Sequence, residues 1–212
     1  AAVYWGTGIA AALLLFASVL FHELAHSLVA KARGFPVRGI TLFLLGGVSD
    51  LRAESRRARD EFVISAVGPL SSLALAAAFG VATYAFQGGR ARDSAELWLL
   101  TTVSVANTPL AAVLWYLALV NLLLAAFNLL PAFPLDGGRV LRSVIWATTG
   151  SLSRATRIAA RGGQTVGILL MALGGLQVFQ GNLFGGLWYA FVGWFLHGAA
   201  TSSRRDVTVE AE

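Results

Sequence analysis

Cysteine is absent from all 212 residues, which excludes disulfides and thiolate metal sites and leaves nitrogen and oxygen as the available metal ligands. Charge is scarce too. Asp, Glu, Lys and Arg make up 13% of the chain against 57% hydrophobic residues, with a mean hydropathy of +0.70, which excludes an ordinary soluble domain. Histidine occurs only at His22, His26 and His197. Glu23 is the one acidic residue before Asp50, and Asp136 the one between Glu96 and Asp206. Lysine occurs once against fifteen arginines, a bias that, with abundant alanine, points to a GC-rich bacterial genome. The net charge of +5 would suit nucleic acid, but the arginines fall between apolar runs, so no nucleic-acid partner is expected.

The apolar runs set the fold class. Val3 to Ala30, Phe62 to Phe86 and Pro109 to Leu130 are each long enough to cross a hydrocarbon core of ~30 Å. Val166 to Phe179 becomes long enough if its helix starts near Ile158 with Arg161 snorkelling, and Leu183 to Leu196 is short and glycine-rich. These runs predict an all-α polytopic membrane protein of about five spans in a lipid bilayer. Basic residues concentrate in the loop from Lys31 to Arg59 and again at Arg139, Arg142, Arg154 and Arg157, which places those loops and the C-terminus in the cytoplasm. The N-terminus then lies outside, where an apolar run starts abruptly at Ala1, so a preceding span is expected. Residues 1–200 are read as one membrane domain and 201–212 as a polar cytoplasmic tail, with truncation before a regulatory domain allowed for.

Within the first run stands His22-Glu23-Leu24-Ala25-His26. Residues four apart share one helix face, so both imidazoles can reach one cation with Glu23 beside them. Such residues are costly in hydrocarbon and are expected to be functional. Counted from Lys31, the motif lies roughly 14 Å inside the cytoplasmic face. A catalytic zinc needs a third protein ligand, and the candidates are an acid or His197. Asp136 lies in Asn128-Leu-Leu-Pro131-Ala-Phe-Pro134-Leu-Asp136-Gly137-Gly138, where prolines and glycines break the helix. At membrane depth a broken helix requires its freed backbone to be buried in protein or to line a wet cavity.

Taken together, HExxH and the Asn128-to-Gly138 segment some 110 residues later make the chain resemble the site-2 protease family of intramembrane zinc metalloproteases. Phe43-Leu-Leu-Gly-Gly-Val48 and Val67-Gly-Pro-Leu70 extend the likeness, which runs from about Leu13 to Leu196. The resemblance implies a six-span core whose first span is missing here. It implies Zn2+ held by His22, His26 and Asp136, Glu23 as base, and regulated cleavage of transmembrane proteins. Some members carry Asn where Ser72 stands, so Ser72 is given no catalytic role. Relatives of this kind often continue into nucleotide-sensing domains, so a regulatory domain or partner outside this chain is allowed for.

An oxyanion donor is required as well, and Asn128 is the candidate, with Asn121 competing for the role. Val37 to Asp50 is rich in β-favouring residues, and Gly46-Gly47 suits a turn, which predicts a small membrane-associated hairpin after the first helix. Its edge, with Gly46, Gly47, Val48 and Ser49, is the expected place for an extended substrate to pair, although the same hairpin would serve as scaffold. The substrate is expected to be a single-span transmembrane protein, and the site to face the cytoplasmic side of a bacterial or archaeal membrane. A metal transporter would want further acids or histidines along the other spans, and a silent scaffold would have lost Glu23 or a ligand. His197 and the tryptophans suit the membrane interface.

Overall fold

A computed structural model describes residues 1–43, 46–51, 57–86 and 108–209. In chain order the elements are α1 (Ala2–Ala32), β1 (Val37–Phe43), β2 (Gly46–Leu51), α2 (Ala58–Phe86), α3 (Pro109–Asn128), α4 (Asp136–Thr149), α5 (Leu152–Phe179) and α6 (Leu183–Val209). Among the described residues, α1, α2, α3 and α5 are long and apolar enough to cross a membrane, which makes this an integral membrane protein. The fifth expected stretch is longer than its sequence suggested, because α6 continues as helix through residues 201–209 of the polar tail.

Two compact units divide the chain: residues 1–52 with 67–126, and residues 53–66 with 127–212. The first holds α1, both strands and most of α2 and α3. α1 is inside out relative to a soluble helix. Ser18, His22, Glu23, His26 and Ser27 are buried, while Ile9, Leu13, Phe16, Leu20 and Leu28 are exposed. Lipid satisfies the apolar face, so polar groups gather where protein can satisfy them. α1 runs beside β1 and β2, which pair antiparallel with Thr41 opposite Val48 and Ile40 opposite Ser49. Gly46 and Gly47 do not form the turn. They pair with Phe43 and Leu42 inside the sheet, and residues 44–45 lie outside the described set.

The second unit is built on α4, α5 and α6. α5 and α6 pack closely along their glycines: a Cβ on Gly174 would lie 2.6 Å from the Gly186 carbonyl oxygen, so neither helix tolerates bulk there. The stretch after Asp136, read from sequence as part of a cytoplasmic loop, is helix α4. Arg139 and Arg142 lie on it, and Arg154 and Arg157 lie on α5. Gly150, at φ 67°, closes α4 in the left-handed conformation that glycine reaches without strain, and Ser151 caps α5 by accepting from Arg154 N at 3.3 Å.

Between α3 and α4 the chain leaves helix, and the break turns Ala132, Phe133 and Leu135 inward while Leu129, Pro131 and Pro134 stay exposed. Ala132 and Phe133 are 0% and 6% exposed, and Phe133 N donates to Ala159 O of α5 at 3.3 Å. A Cβ on Gly163 would come within 2.1 Å of Phe133 O, so the α5 backbone can approach the segment only as glycine.

Candidate metal centre

The site in the first unit begins with helical spacing. Ser18, His22 and His26 succeed one another at four-residue intervals along α1, and all three are buried. The Nε2 atoms of His22 and His26 converge to 3.3 Å, with the two rings edge-on at 75°. Two nitrogens each about 2.0–2.1 Å from one tetrahedral zinc would stand about 3.3 Å apart, so this donor pair fits the ion. Glu23, the next residue along, is 8% exposed.

α2 supplies the rest of the setting. Gly68 lies against both imidazoles: a Cβ there would fall 2.1 Å from His26 Nε2 and 2.7 Å from His22 Nε2, so glycine keeps open the space where the two nitrogens meet. One turn later, Ser72 Oγ stands 2.9 Å from His22 Nδ1, and Ser72 is fully buried. Sequence reading had singled out Gly68 only as part of a family landmark and had given Ser72 no catalytic role. The four-residue step from Gly68 to Ser72 matches the step from His22 to His26. That match is the one local sign that α2 presents a face to the motif.

α3 meets the same face of α1 one turn away. Asn121 Nδ2 donates to Ser18 Oγ at 3.1 Å and to Leu117 O at 2.8 Å, so both amide hydrogens are engaged. Asn121 Oδ1 is buried without a protein partner among the described residues. Asn121 is therefore an interhelical tie, and its use as oxyanion donor is disfavoured because it has no hydrogen left to give.

Asp136 and Asn128 belong to the second unit. Asn128 ends α3 and Asp136 opens α4, and both are half-buried. Asp136 lies in the first helical turn, where a carboxylate is favoured by the helix dipole. Its surroundings are shaped by glycine: a Cβ on Gly137 would lie 2.4 Å from the Leu129 and Leu130 carbonyl oxygens. His197, the competing ligand, lies where α6 packs on α5, with Nδ1 3.4 Å from Gln164 O. It takes part in helix packing there. Arg142, counted from sequence among the loop cations, forms an ion pair with Glu61, whose side chain is buried.

Comparison with known proteins gives the family. The pattern of peptidase family M50 matches residues 10–173. The chain is 42% identical over 99% of its length to a Mycobacterium tuberculosis protein named "Putative zinc metalloprotease Rip3", covering 50% of that protein. It is 32% identical over 93% of its length to zinc metalloprotease MJ0392 of Methanocaldococcus jannaschii, again covering 50%. The chain thus spans about half the length of the curated relatives it matches. Among solved structures it is similar to a site-2 protease from Methanocaldococcus jannaschii, with TM-score 0.65 and 30% identity over 91% of this chain and 76% of the other. The chain belongs to peptidase family M50, the site-2 protease family.

Proposed function

We propose that this protein is an intramembrane zinc endopeptidase that cleaves transmembrane helices of membrane-protein substrates. The observation that carries it is the convergence of two buried imidazole nitrogens to 3.3 Å on an apolar helix. His22 and His26 would hold the zinc through Nε2, with Asp136, the acid that the broken, glycine-lined segment carries, as the third ligand. When bound, zinc supplies a Lewis acid that polarises the scissile carbonyl and acidifies the attacking water. Glu23 is the base. It takes the water's proton and returns it to the departing amine, so its carboxylate is regenerated each turnover. Asn128 donates to the developing oxyanion, a role left to it by the engagement of both Asn121 amide hydrogens.

A helical substrate hides its peptide bonds in its own hydrogen bonding and must unwind before cleavage. Among the described residues the sheet has two strands, so each offers one unpaired edge, and β2 with Gly46, Gly47, Val48 and Ser49 is the one we assign to an extended substrate. The arginine distribution supports a site toward the cytoplasmic face.

The test is cleavage of a single-span model substrate by the purified chain in proteoliposomes, with and without a zinc chelator. Cleavage should stop with chelation and return with added zinc. Glu23→Gln should lower turnover by ~10²–10⁴-fold while bound zinc stays at the wild-type ratio. Chelator-resistant cleavage, or wild-type turnover by Glu23→Gln, would overturn the proposal.

A further inference from the structure

We propose that Ser72 is a positioning residue for the metal centre, accepting the Nδ1–H of His22 and thereby holding that imidazole in the tautomer whose Nε2 lone pair faces His26. The inference rests on the zinc reading above. A neutral imidazole carries one ring proton, and it can ligate through Nε2 only if that proton is on Nδ1. Ser72 Oγ lies 2.9 Å from Nδ1, with Ser72 0% and His22 2% exposed, so water does not compete freely for the contact.

The neighbouring serine shows that this hydroxyl is differently placed. Ser71 Oγ donates to Gly68 O at 2.7 Å, the habit of a helical serine that satisfies itself on its own backbone. Ser72 instead reaches across to a residue fifty positions earlier in sequence. Because Gly68 and Ser72 are one turn apart, α2 addresses both nitrogens of His22. Gly68 leaves room at Nε2, and Ser72 occupies Nδ1. A ring held at Nδ1 with its Nε2 facing His26 is pre-set for ligation, and losing such a partner typically weakens metal affinity by ~10–100-fold.

The experiment uses the full chain in detergent, labelled with 15N-histidine, and three histidines make assignment tractable. In metal-stripped wild type, His22 should show the Nδ1–H tautomer; in Ser72→Ala it should show a mixture. Zinc affinity, read by competition with a chromophoric chelator, should fall ~10–100-fold in Ser72→Ala and stay within about twofold in Ser71→Ala, whose hydroxyl serves only its own helix. An unchanged tautomer together with unchanged affinity in Ser72→Ala would overturn the proposal. Failure of the wild type to bind zinc would instead sink the protease reading, and the tautomer comparison would still judge the Ser72–His22 contact on its own.

Discussion

Arg142 of α4 donates from Nε to Oε1 of Glu61, near the start of α2, at 2.6 Å, and its Nη2 reaches the same oxygen. Glu61 is 2% exposed, and the guanidinium also lies 5.3 Å from the centre of the Phe133 ring. One side chain thus ties the start of α2 to α4 and to the broken segment that leads into Asp136. Charged groups this buried are tolerated because each neutralises the other, and removing one strands its partner.

Glu61→Ala or Arg142→Ala should therefore destabilise the protein by about 3–5 kcal/mol. The double variant Glu61→Met/Arg142→Met should lose clearly less than the two single losses added together, because no uncompensated charge remains. Denaturation in mild detergent measures both. Strict additivity would show that the pair is not coupled.

Gly68→Ala should empty the metal centre. The added methyl would lie 2.1 Å from His26 Nε2, far inside contact distance, so the imidazoles must part. Bound zinc and cleavage should fall together, by at least the ~10-fold expected for a disturbed ligand shell. Gly175→Ala is the matched control, since nothing lies within 4 Å of its Cβ position and a helix interior favours alanine. If Gly68→Ala bound zinc like wild type, α2 would not limit the site.

Asp136→Ala should lower zinc content and activity together, whereas His197→Ala should leave both near wild type and cost only packing between α5 and α6. Metal analysis of the two purified variants decides it. The reverse ranking would remove Asp136 from the ligand set.

Val48→Pro and Ser49→Pro probe the strand. Each removes a backbone donor from β2, opposite Thr41 and Ile40 respectively, where substrate pairing or hairpin pairing needs it. One lost backbone bond, about 1 kcal/mol, should slow cleavage of a helical substrate several-fold without changing bound zinc. Wild-type rates for both variants, with the fold intact by circular dichroism, would make the hairpin a scaffold.

What the amino-acid sequence determined by itself was everything with a short physical period. Apolar runs of bilayer length require helices in a membrane, and a four-residue spacing puts His22 and His26 on one face wherever that helix sits. What it left open depended on which helices lie side by side. Asp136-Gly137-Gly138 reads as a helix breaker by propensity, yet α4 starts there because Gly137 and Gly138 let its backbone press against residues 129–133. Ser72 found His22 across fifty residues, and Arg142 found Glu61 across eighty-one. Neither partnership has a local signature, because a serine three residues after Pro69 or an arginine four residues after Gly138 looks the same whether it meets solvent or a buried partner. Only tertiary packing, by excluding water, turned those ordinary residues into the ones that orient a ligand and pin a turn.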